Sequence, residues 1–422
     1  MSTAIDEQPV FAPADSLLRF ATAGAVDDGK STLIGRLLHD SKSLLADQLE
    51  QLELASAERG DEQLDLAMLT DGLRAEREQG ITIDVAHRYF ETARRAFIIA
   101  DTPGHAQYTR NMVTGASTAD LAIVLVDARN GLTEQSRRHA VLAGLLRVPR
   151  LVLAVNKMDL VDFGEPVFRG ITEEFAEFTA QLDLRDITAI PISALRGDNV
   201  VHRSAAMPWY DGPSLLEHLE EVEVAEEGST GDFRLPVQCT LRAPDYRGYA
   251  GQIASGVLAP GEEVLHLPSG LRSRVVAVDT ADGELDRGRA PQSVAVRLAD
   301  DIDVGRGDML CAPGNAPAVA EELTATVCWM SARAALEPGR RLLLKHTTRT
   351  VKAVVAGIGD RLEITTLERV PAERLELNEI GEIDLRLAQP VFCDPYRENR
   401  TTGGAVLVDE STHETVGAVL IS

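Results

Sequence analysis

The sequence predicts an α/β chain: a P-loop domain with a mostly parallel sheet, followed by two antiparallel β-barrel domains. Three observations support this prediction. Short apolar runs rich in Val, Ile and Leu alternate with helical stretches up to about residue 225, which is typical of parallel strands buried on both faces. A phosphate-loop motif follows the first of these runs. Beyond residue 225, short β-prone runs are separated by turn signals.

The first half of the chain alternates strand and helix. Residues 17–23 predict a strand and residues 31–38 the helix that follows it. Further strands are predicted at 97–100, 121–126, 151–155 and 189–192, and a helix at 134–146. Because an open parallel sheet binds its ligand at the carboxyl ends of the strands, we expect a nucleotide there.

The second half begins after an acidic segment at 217–227 and a Gly-Ser-Thr-Gly-Asp linker at 228–232. Turn signals such as Ala-Pro-Gly and Ala-Asp-Gly then separate short β-prone runs, and a second boundary is expected near 312–317. The predicted organisation is a disordered leader at 1–16, a P-loop domain at 17–227, and β-barrel domains at 233–317 and 320–422.

Composition limits the possible functions. The 422 residues carry a formal net charge of −24, which argues against an extensive nucleic-acid contact, since such a surface must be basic. No apolar run reaches the ~18 residues of a membrane helix, and residues 1–16 lack the features of a signal peptide. The four cysteines are scattered without metal-ligand spacing, which favours free thiols in a reducing cytoplasm. We expect a cytoplasmic protein without nucleic-acid or membrane partners.

Residues 24–31 read Gly-Ala-Val-Asp-Asp-Gly-Lys-Ser, a complete G-x-x-x-x-G-K-[ST] phosphate loop. Its glycines allow backbone N–H groups to turn toward phosphates at the positive end of the next helix. Lys30 supplies a charge to the β- and γ-phosphates, and Ser31 offers its hydroxyl to Mg²⁺. The predicted nucleotide contacts in this segment are Gly24, Ala25, Val26, Asp27, Asp28, Gly29, Lys30, Ser31 and Thr32.

A second motif, Asp101-Thr102-Pro103-Gly104-His105, follows the strand at 97–100. All five residues are predicted nucleotide contacts. Asp101 is placed to orient the metal, usually through water, and the N–H of Gly104 to meet the γ-phosphate. We predict that His105 is catalytic and positions the attacking water, although a lone histidine is also common as an ordinary surface or core residue.

Two further motifs read the base. A carboxylate at Asp159 can accept hydrogen bonds from the N1–H and 2-amino groups of guanine, which adenine does not offer, so the predicted nucleotide is GTP. The backbone around Ala194 would meet the guanine O6. The predicted base-binding residues are Asn156, Lys157, Asp159, Ser193, Ala194 and Leu195.

A charged segment at 76–83 contains Thr82, which could add a second hydroxyl to Mg²⁺ when GTP is bound and release it after hydrolysis. The predicted metal contacts are therefore Ser31, Thr82 and Asp101. A plain solvated helix is the alternative interpretation of this segment.

The order of these motifs resembles translational GTPases of the elongation factor Tu class. The chain is more similar still to the large GTPase subunit of bacterial sulfate adenylyltransferase. The supporting strings lie at residues 26–36, 71–80, 247–251 and 394–400, so the likeness runs from about residue 17 to the end. Elongation factors typically carry histidine in place of Asp28 and lack the Pro-Tyr-Arg-Glu-Asn-Arg string at 395–400.

This resemblance implies a heterodimer in which a small catalytic subunit makes adenosine 5′-phosphosulfate and pyrophosphate from ATP and sulfate, driven by GTP hydrolysis on this chain. It also implies that Val26 and Ile81 form a hydrophobic gate around His105. A fused adenylylsulfate kinase, present in some relatives, would need a second phosphate loop. The sequence has one, so we expect that activity to be absent.

One rival interpretation is an elongation factor Tu-type protein that delivers aminoacyl-tRNA, and a weaker one is a regulatory GTPase. Net charge and the strings typical of the sulfate family argue against the first, and the two appended barrels fit the second poorly. The basic strings at 345–352 and 395–400 are interpreted as solvated loops or, alternatively, partner contacts.

Overall fold

The computed structural model describes residues 17–41, 66, 86–103, 109–182, 184, 186–224 and 231–422, with the backbone alone at 109 and 110. The chain divides into two compact units, Met1–Ala225 and Glu226–Ser422. The predicted leader at 1–16 lies outside the described residues. In the described part, no helix is long and apolar enough to cross a membrane.

The first unit contains a sheet in the order β2-β3-β1-β4-β5-β6. Neighbouring strands run parallel except for β2, which is antiparallel to β3, so the predicted, mostly parallel sheet is confirmed. Sequence reasoning missed β2, whose residues are mostly exposed or half-buried and give no apolar run. The strands are β1 Leu17–Gly24, β2 Ala86–Glu91, β3 Ala96–Asp101, β4 Leu121–Asp127, β5 Arg150–Asn156 and β6 Ile187–Pro191.

Helices cover this sheet because its central strands are apolar on both faces. All seven residues of β4 are buried. Local signals set the helix starts: the Thr133 side chain accepts a hydrogen bond from the N–H of Ser136, and Ser214 and Glu217 form a capping box. The helices are α1 Lys30–Asp40, α2 Thr109–Ala116, α3 Glu134–Leu145, α4 Glu165–Thr179 and α5 Leu215–Glu221, with a 3₁₀ turn at Met158–Val161.

The second unit begins with an antiparallel sheet in the order β7-β16-β11-β12-β15-β9-β8, with β13 paired to β12 and a small ladder between β10 and β14. Its inward side chains form a separate apolar core that includes Tyr249 and Ile253. The strands are β7 Arg234–Pro236, β8 Cys239–Ala243, β9 Tyr246–Gln252, β10 Val257–Leu258, β11 Glu263–Leu267, β12 Arg272–Thr280, β13 Gly283–Leu285, β14 Gly288–Arg289, β15 Ser293–Leu298 and β16 Met309–Cys311.

The remaining strands form a closed barrel. The order is β18-β22-β23-β17-β21-β19, and pairing of β18 with β19 closes the ring, while β20 extends from β19. The fully buried Trp329 lies in its core. The elements are β17 Ala318–Trp329, β18 Arg341–His346, β19 Arg349–Leu362, β20 Arg369–Pro371, β21 Ile380–Cys393, α6 Arg400–Gly403, β22 Gly404–Val408 and β23 Thr415–Ile421. The domain limits given above remain predictions.

A buried ion pair joins these two sheets of the second unit. Arg234 on β7 donates to both carboxylate oxygens of Asp394, at 3.0 and 2.9 Å, and only 4% of the arginine side chain is exposed. Thr402 donates a hydrogen bond of 2.6 Å to the same carboxylate. Asp394 immediately precedes the string at 395–400, so this part of the sequence motif lies at the junction of the two sheets.

Candidate functional site

The structure brings most of the predicted site residues to one edge of the first unit's sheet. The phosphate loop follows β1, Asp101 is the last residue of β3, Asn156 is the last residue of β5, and the segment 193–195 follows β6. Because these strands are parallel, their carboxyl ends meet at the same edge. The four motifs therefore form one polar site, although long stretches of sequence separate them.

The phosphate loop depends on backbone geometry that glycine permits. Gly29 has φ +91°, and a Cβ built on it would lie 2.4 Å from the side-chain nitrogen of Asn156. Asp27 also has positive φ, at 68°. Helix α1 begins at Lys30, and Leu33 N–H donates to Gly29 O at 2.9 Å. The amides of the first turn therefore lie at the loop, as an anion site requires.

Lys30 of this loop and Asp101 at the end of β3 form a buried ion pair. The Nζ atom of Lys30 lies 2.9 Å from Oδ1 of Asp101, and the two side chains are 7% and 1% exposed. Oδ2 of the same carboxylate is buried and has no hydrogen-bond partner among the described residues. A buried carboxylate oxygen without a partner suits a cation or a metal-bound water. The predicted metal role of Asp101 is consistent with this chemistry.

Asp28 is a second buried carboxyl group in the loop. Only 3% of the residue is exposed, and its Oδ2 accepts a hydrogen bond of 2.7 Å from the N–H of Ala25. Burial raises the pKa of Asp28 from 3.8 to about 6, and the nearby charge of Asp127 adds to the rise, although the Ala25 hydrogen bond opposes it. The carboxyl therefore stabilises the loop through its hydrogen bond to Ala25. Near neutral pH it is ionised, and the burial of this negative charge destabilises the fold.

Asn156 connects the phosphate loop to the turn at 193–195. Its amide nitrogen donates to the carbonyl oxygen of Asp28 at 2.7 Å, and its amide oxygen accepts from the N–H of Ala194 at 2.9 Å. The residue is 2% exposed. Both ends of the amide are used, so Asn156 fixes the distance between the loop and the turn at 193–195.

Lys157 is held by a carboxylate that sequence reasoning missed. Its Nζ lies 2.9 Å from Oδ2 of Asp127, and it also donates to the carbonyl of Asp27. Arg129 donates to both oxygens of Asp127. Although burial would raise the pKa of Asp127, these hydrogen bonds outweigh it and lower the pKa to about 2. Asp127 is the last residue of strand β4. A polar residue at the carboxyl end of a parallel strand is the sequence feature that could have indicated its place in the site.

Asp159 is oriented from two sides. The hydroxyl of Ser193 donates to its Oδ1 at 2.6 Å, and Nε of Arg196 lies 3.9 Å from its Oδ2. The carboxylate thus has a fixed direction beside the segment 193–195. Its predicted contact with guanine stays a prediction. The Leu195 side chain, in the same segment, is 48% exposed.

Other predicted residues have simpler placements or lie outside the described residues. Thr102 is fully buried and donates to the carbonyl of Thr22 at 2.6 Å, so it ties β3 to β1. Val26 is 43% exposed in the loop. The residues outside the described part are Ile81, Thr82, Gly104 and His105.

A separate groove of about 810 Å³ lies in the second unit. Its lining includes Leu241, Cys239, Val294 and Thr347, and it contains neither Lys nor Arg. Nucleotide phosphates require cationic side chains or a helix amino terminus, so this groove does not compete with the phosphate loop as the nucleotide site.

Comparison with known proteins gives matches over both units. The family model of the elongation factor Tu GTP binding domain matches residues 15–225, and a GTP-eEF1A C-terminal domain-like model matches residues 322–422. The bifunctional enzyme CysN/CysC of Mycobacterium tuberculosis is 56% identical over 412 residues, which cover 96% of this chain and 67% of that protein. Sulfate adenylyltransferase subunit 1 of Alteromonas mediterranea is 51% identical over 96% of this chain and 86% of its own length. The corresponding subunit of Aeromonas hydrophila is 51% identical over 100% and 90%.

Proposed function

Since the chain belongs to the sulfate adenylyltransferase subunit 1 family, with a GTP-binding domain of the elongation factor Tu type, we propose how its residues serve that activity. The chain is a GTPase subunit of sulfate adenylyltransferase, and its relatives favour this function over aminoacyl-tRNA delivery. The observation that supports the site assignment is the meeting of Lys30, Asp101 and Asn156 at one sheet edge.

We propose that the triphosphate lies in the loop formed by residues 24–31. Lys30 moves its charge from Asp101 to the β- and γ-phosphates, while the amides of the first turn of α1 donate to phosphate oxygens. Ser31, Asp101 and Thr82 would hold Mg²⁺, which would supply positive charge to the β- and γ-phosphates. The unpartnered Oδ2 of Asp101 supports this assignment.

The base would lie between the segment at 156–159 and the turn at 193–195. Asp159, already oriented by Ser193, accepts from N1–H and the 2-amino group, and a backbone amide near Ala194 donates to O6. Lys157 is anchored to Asp127, so its aliphatic chain is available to cover one face of the ring.

For hydrolysis we propose that His105 positions the attacking water and that Val26 and Ile81 gate its approach. Val26 is 43% exposed in the loop, so its side chain is accessible to a bound ligand. Asp28 and Asn156 keep the loop in place during the reaction, since both are hydrogen-bonded within it.

The name subunit 1 of the relatives supports a partner subunit for this chain. We propose a small catalytic subunit that binds ATP and sulfate and forms adenosine 5′-phosphosulfate and pyrophosphate. Coupling requires that the partner bind the GTP and GDP states with different affinity, because a ligand shifts an equilibrium only through such a difference. The free thiols of all four cysteines support a reducing, cytoplasmic location.

A reconstitution tests this proposal. The full chain, the small subunit and their mixture are each given ATP and sulfate with GTP, GDP or a non-hydrolysable GTP analogue, and sulfate-dependent pyrophosphate release is measured. We expect release that GTP stimulates in the mixture alone. The matched control is the mixture made with Lys30→Ala, which should lose the stimulation.

Two outcomes would overturn the proposal. Pyrophosphate release by the chain alone would contradict the division of labour between subunits. GTP-dependent binding of aminoacyl-tRNA, with no sulfate-dependent release in any mixture, would favour the elongation-factor interpretation.

A further inference from the structure

Arg36 reaches from helix α1 to the base-binding turn. Its Nε donates to the carbonyl oxygen of Ala194 at 3.1 Å, and its Nη2 donates to the carbonyl oxygen of Leu195. The arginine lies on the helix that starts at the phosphate loop, and the turn is more than 150 residues further along the chain. One side chain therefore ties the phosphate side of the site to the base side.

The guanidinium group is itself held in place. Nη1 of Arg36 lies 3.5 Å from Oδ1 of Asp40, one helical turn further along, and the same Oδ1 lies 2.6 Å from Nδ1 of His39. The Arg36 side chain is 18% exposed. A planar guanidinium that donates to two carbonyls and is fixed by a carboxylate has little freedom to swing away. The turn is consequently held on a rigid helix.

The contact with Arg36 determines which way the amides of the turn face. A trans peptide is planar, with its C=O and N–H pointing in opposite directions. Because Ala194 C=O points at Arg36, the N–H of Leu195 in the same peptide points away from α1. That N–H makes no hydrogen bond to another described residue, whereas the neighbouring N–H groups bond to Asn156 and Ser193. An open donor thus lies in the same turn as Ser193, whose hydroxyl orients the carboxylate of Asp159.

We infer that Arg36 is a positioning residue for guanine recognition: it holds the carbonyls of Ala194 and Leu195 toward α1 so that the open N–H of Leu195 can donate to the O6 atom of the base. The inference rests on the proposed GTP site. It separates two halves of base recognition, because Arg36 governs the O6 edge and Asp159 reads N1–H and the 2-amino group.

The test compares three nucleotides on the full chain by calorimetric titration. GTP has both the O6 acceptor and the 2-amino donor. In 6-thio-GTP a sulfur, which is a weaker acceptor, replaces O6, and ITP lacks the 2-amino group. In Arg36→Ala we expect GTP affinity to fall about tenfold, the loss of about one good hydrogen bond. The preference for GTP over 6-thio-GTP should shrink toward one, while the preference for GTP over ITP stays as in the parent.

Two further variants keep the result interpretable. Arg36→Lys retains the charge near Asp40 but cannot hold two carbonyls, so it should also lose the preference for GTP over 6-thio-GTP even if Arg36→Ala folds poorly. Arg169→Ala is the matched control, since Arg169 makes an exposed pair with Glu165 on α4. It should leave both preferences unchanged.

The outcomes are distinct. If both preferences stay at the parental values in Arg36→Ala and Arg36→Lys, or if both collapse together, Arg36 has no specific role at the O6 edge and the inference is wrong. If the parent chain itself does not prefer GTP to ATP, the proposed nucleotide site fails, independently of Arg36.

Discussion

The ammonium group of Lys30 lies 2.9 Å from a carboxylate oxygen of Asp101, and neither side chain has appreciable contact with solvent. The pair keeps two opposite charges in contact at the carboxyl edge of the sheet. Removal of either partner would leave the other charge buried without its counter-charge.

The first prediction follows from breaking this pair. Lys30→Ala leaves Asp101 buried without its counter-charge, so the free energy of unfolding without nucleotide should fall by about 3 kcal/mol, and GTP binding should weaken strongly. The double variant Lys30→Ala/Asp101→Ala should recover part of the stability but none of the binding. Urea denaturation and nucleotide titration measure the two effects. Unchanged stability and binding in Lys30→Ala would contradict the pairing.

The second prediction concerns the base. Asp159→Asn should lose affinity for GTP and gain affinity for xanthosine triphosphate, because an amide complements the oxo group at C2. Each unmet buried hydrogen bond costs about 1–3 kcal/mol, so the preference should change by orders of magnitude. Ser193 can still donate to the new amide oxygen, so the fold of the turn should survive. Unchanged GTP affinity in calorimetry would exclude this role for Asp159.

The third prediction separates binding from hydrolysis. His105→Ala should keep GTP affinity within a few-fold but reduce hydrolysis in the full complex by ~10²-fold, because it removes the group that positions the water. His202→Ala, at an exposed position of the same unit, is the control and should hydrolyse GTP at the parental rate. Parental hydrolysis in the His105 variant would show that another group positions the water.

The fourth prediction uses the buried carboxyl of Asp28. Its folded pKa of about 6 lies above the ordinary 3.8, so its contribution to stability is greatest below about pH 4 and is lost as the pH rises through 6. Asp28→Asn keeps an acceptor for Ala25 N–H without the charge. It should raise the free energy of unfolding by about 2–3 kcal/mol at pH 8 and by about half as much at pH 5.

Denaturation at the two pH values, without nucleotide, checks this. Asp211→Asn, an exposed carboxyl in the same unit, should show no such difference. If Asp28→Asn changes the free energy of unfolding by the same amount at pH 5 and pH 8, the loop does not contain a buried ionised carboxyl.

The sequence predicted the sheet and the order of motifs because both depend on local patterns. Apolar runs marked β1, β3, β4, β5 and β6, and the strand ends carried the polar residues. β2 has a half-exposed pattern at the edge of the sheet, so hydrophobicity alone did not reveal it. The site roles given above stay predictions, and four of the predicted residues, Ile81, Thr82, Gly104 and His105, lie outside the described part.

Contacts across long sequence separations were beyond such patterns. Arg36 resembles any polar residue on an amphipathic helix, and only the folded chain shows that it reaches Ala194 and Leu195. The same holds for Asp28. Most residues of a phosphate loop act through their backbone amides, so the sequence does not indicate that the Asp28 carboxyl is buried. Spacing predicted which motifs follow strand ends and so share one edge of the sheet, whereas the side-chain contacts between these motifs depend on the folded chain.

The pairing of Arg234 with Asp394 affects how this half of the chain can be exchanged between relatives. A chimera joined near residue 317 would take Arg234 from one parent and the residue at position 394, with its surroundings, from the other. If the two did not match, a cation would be left without its partner in the interior, at a cost of several kcal/mol. Residues 231–422 are therefore best inherited, transplanted or engineered as one block, whatever the number of barrels counted within them.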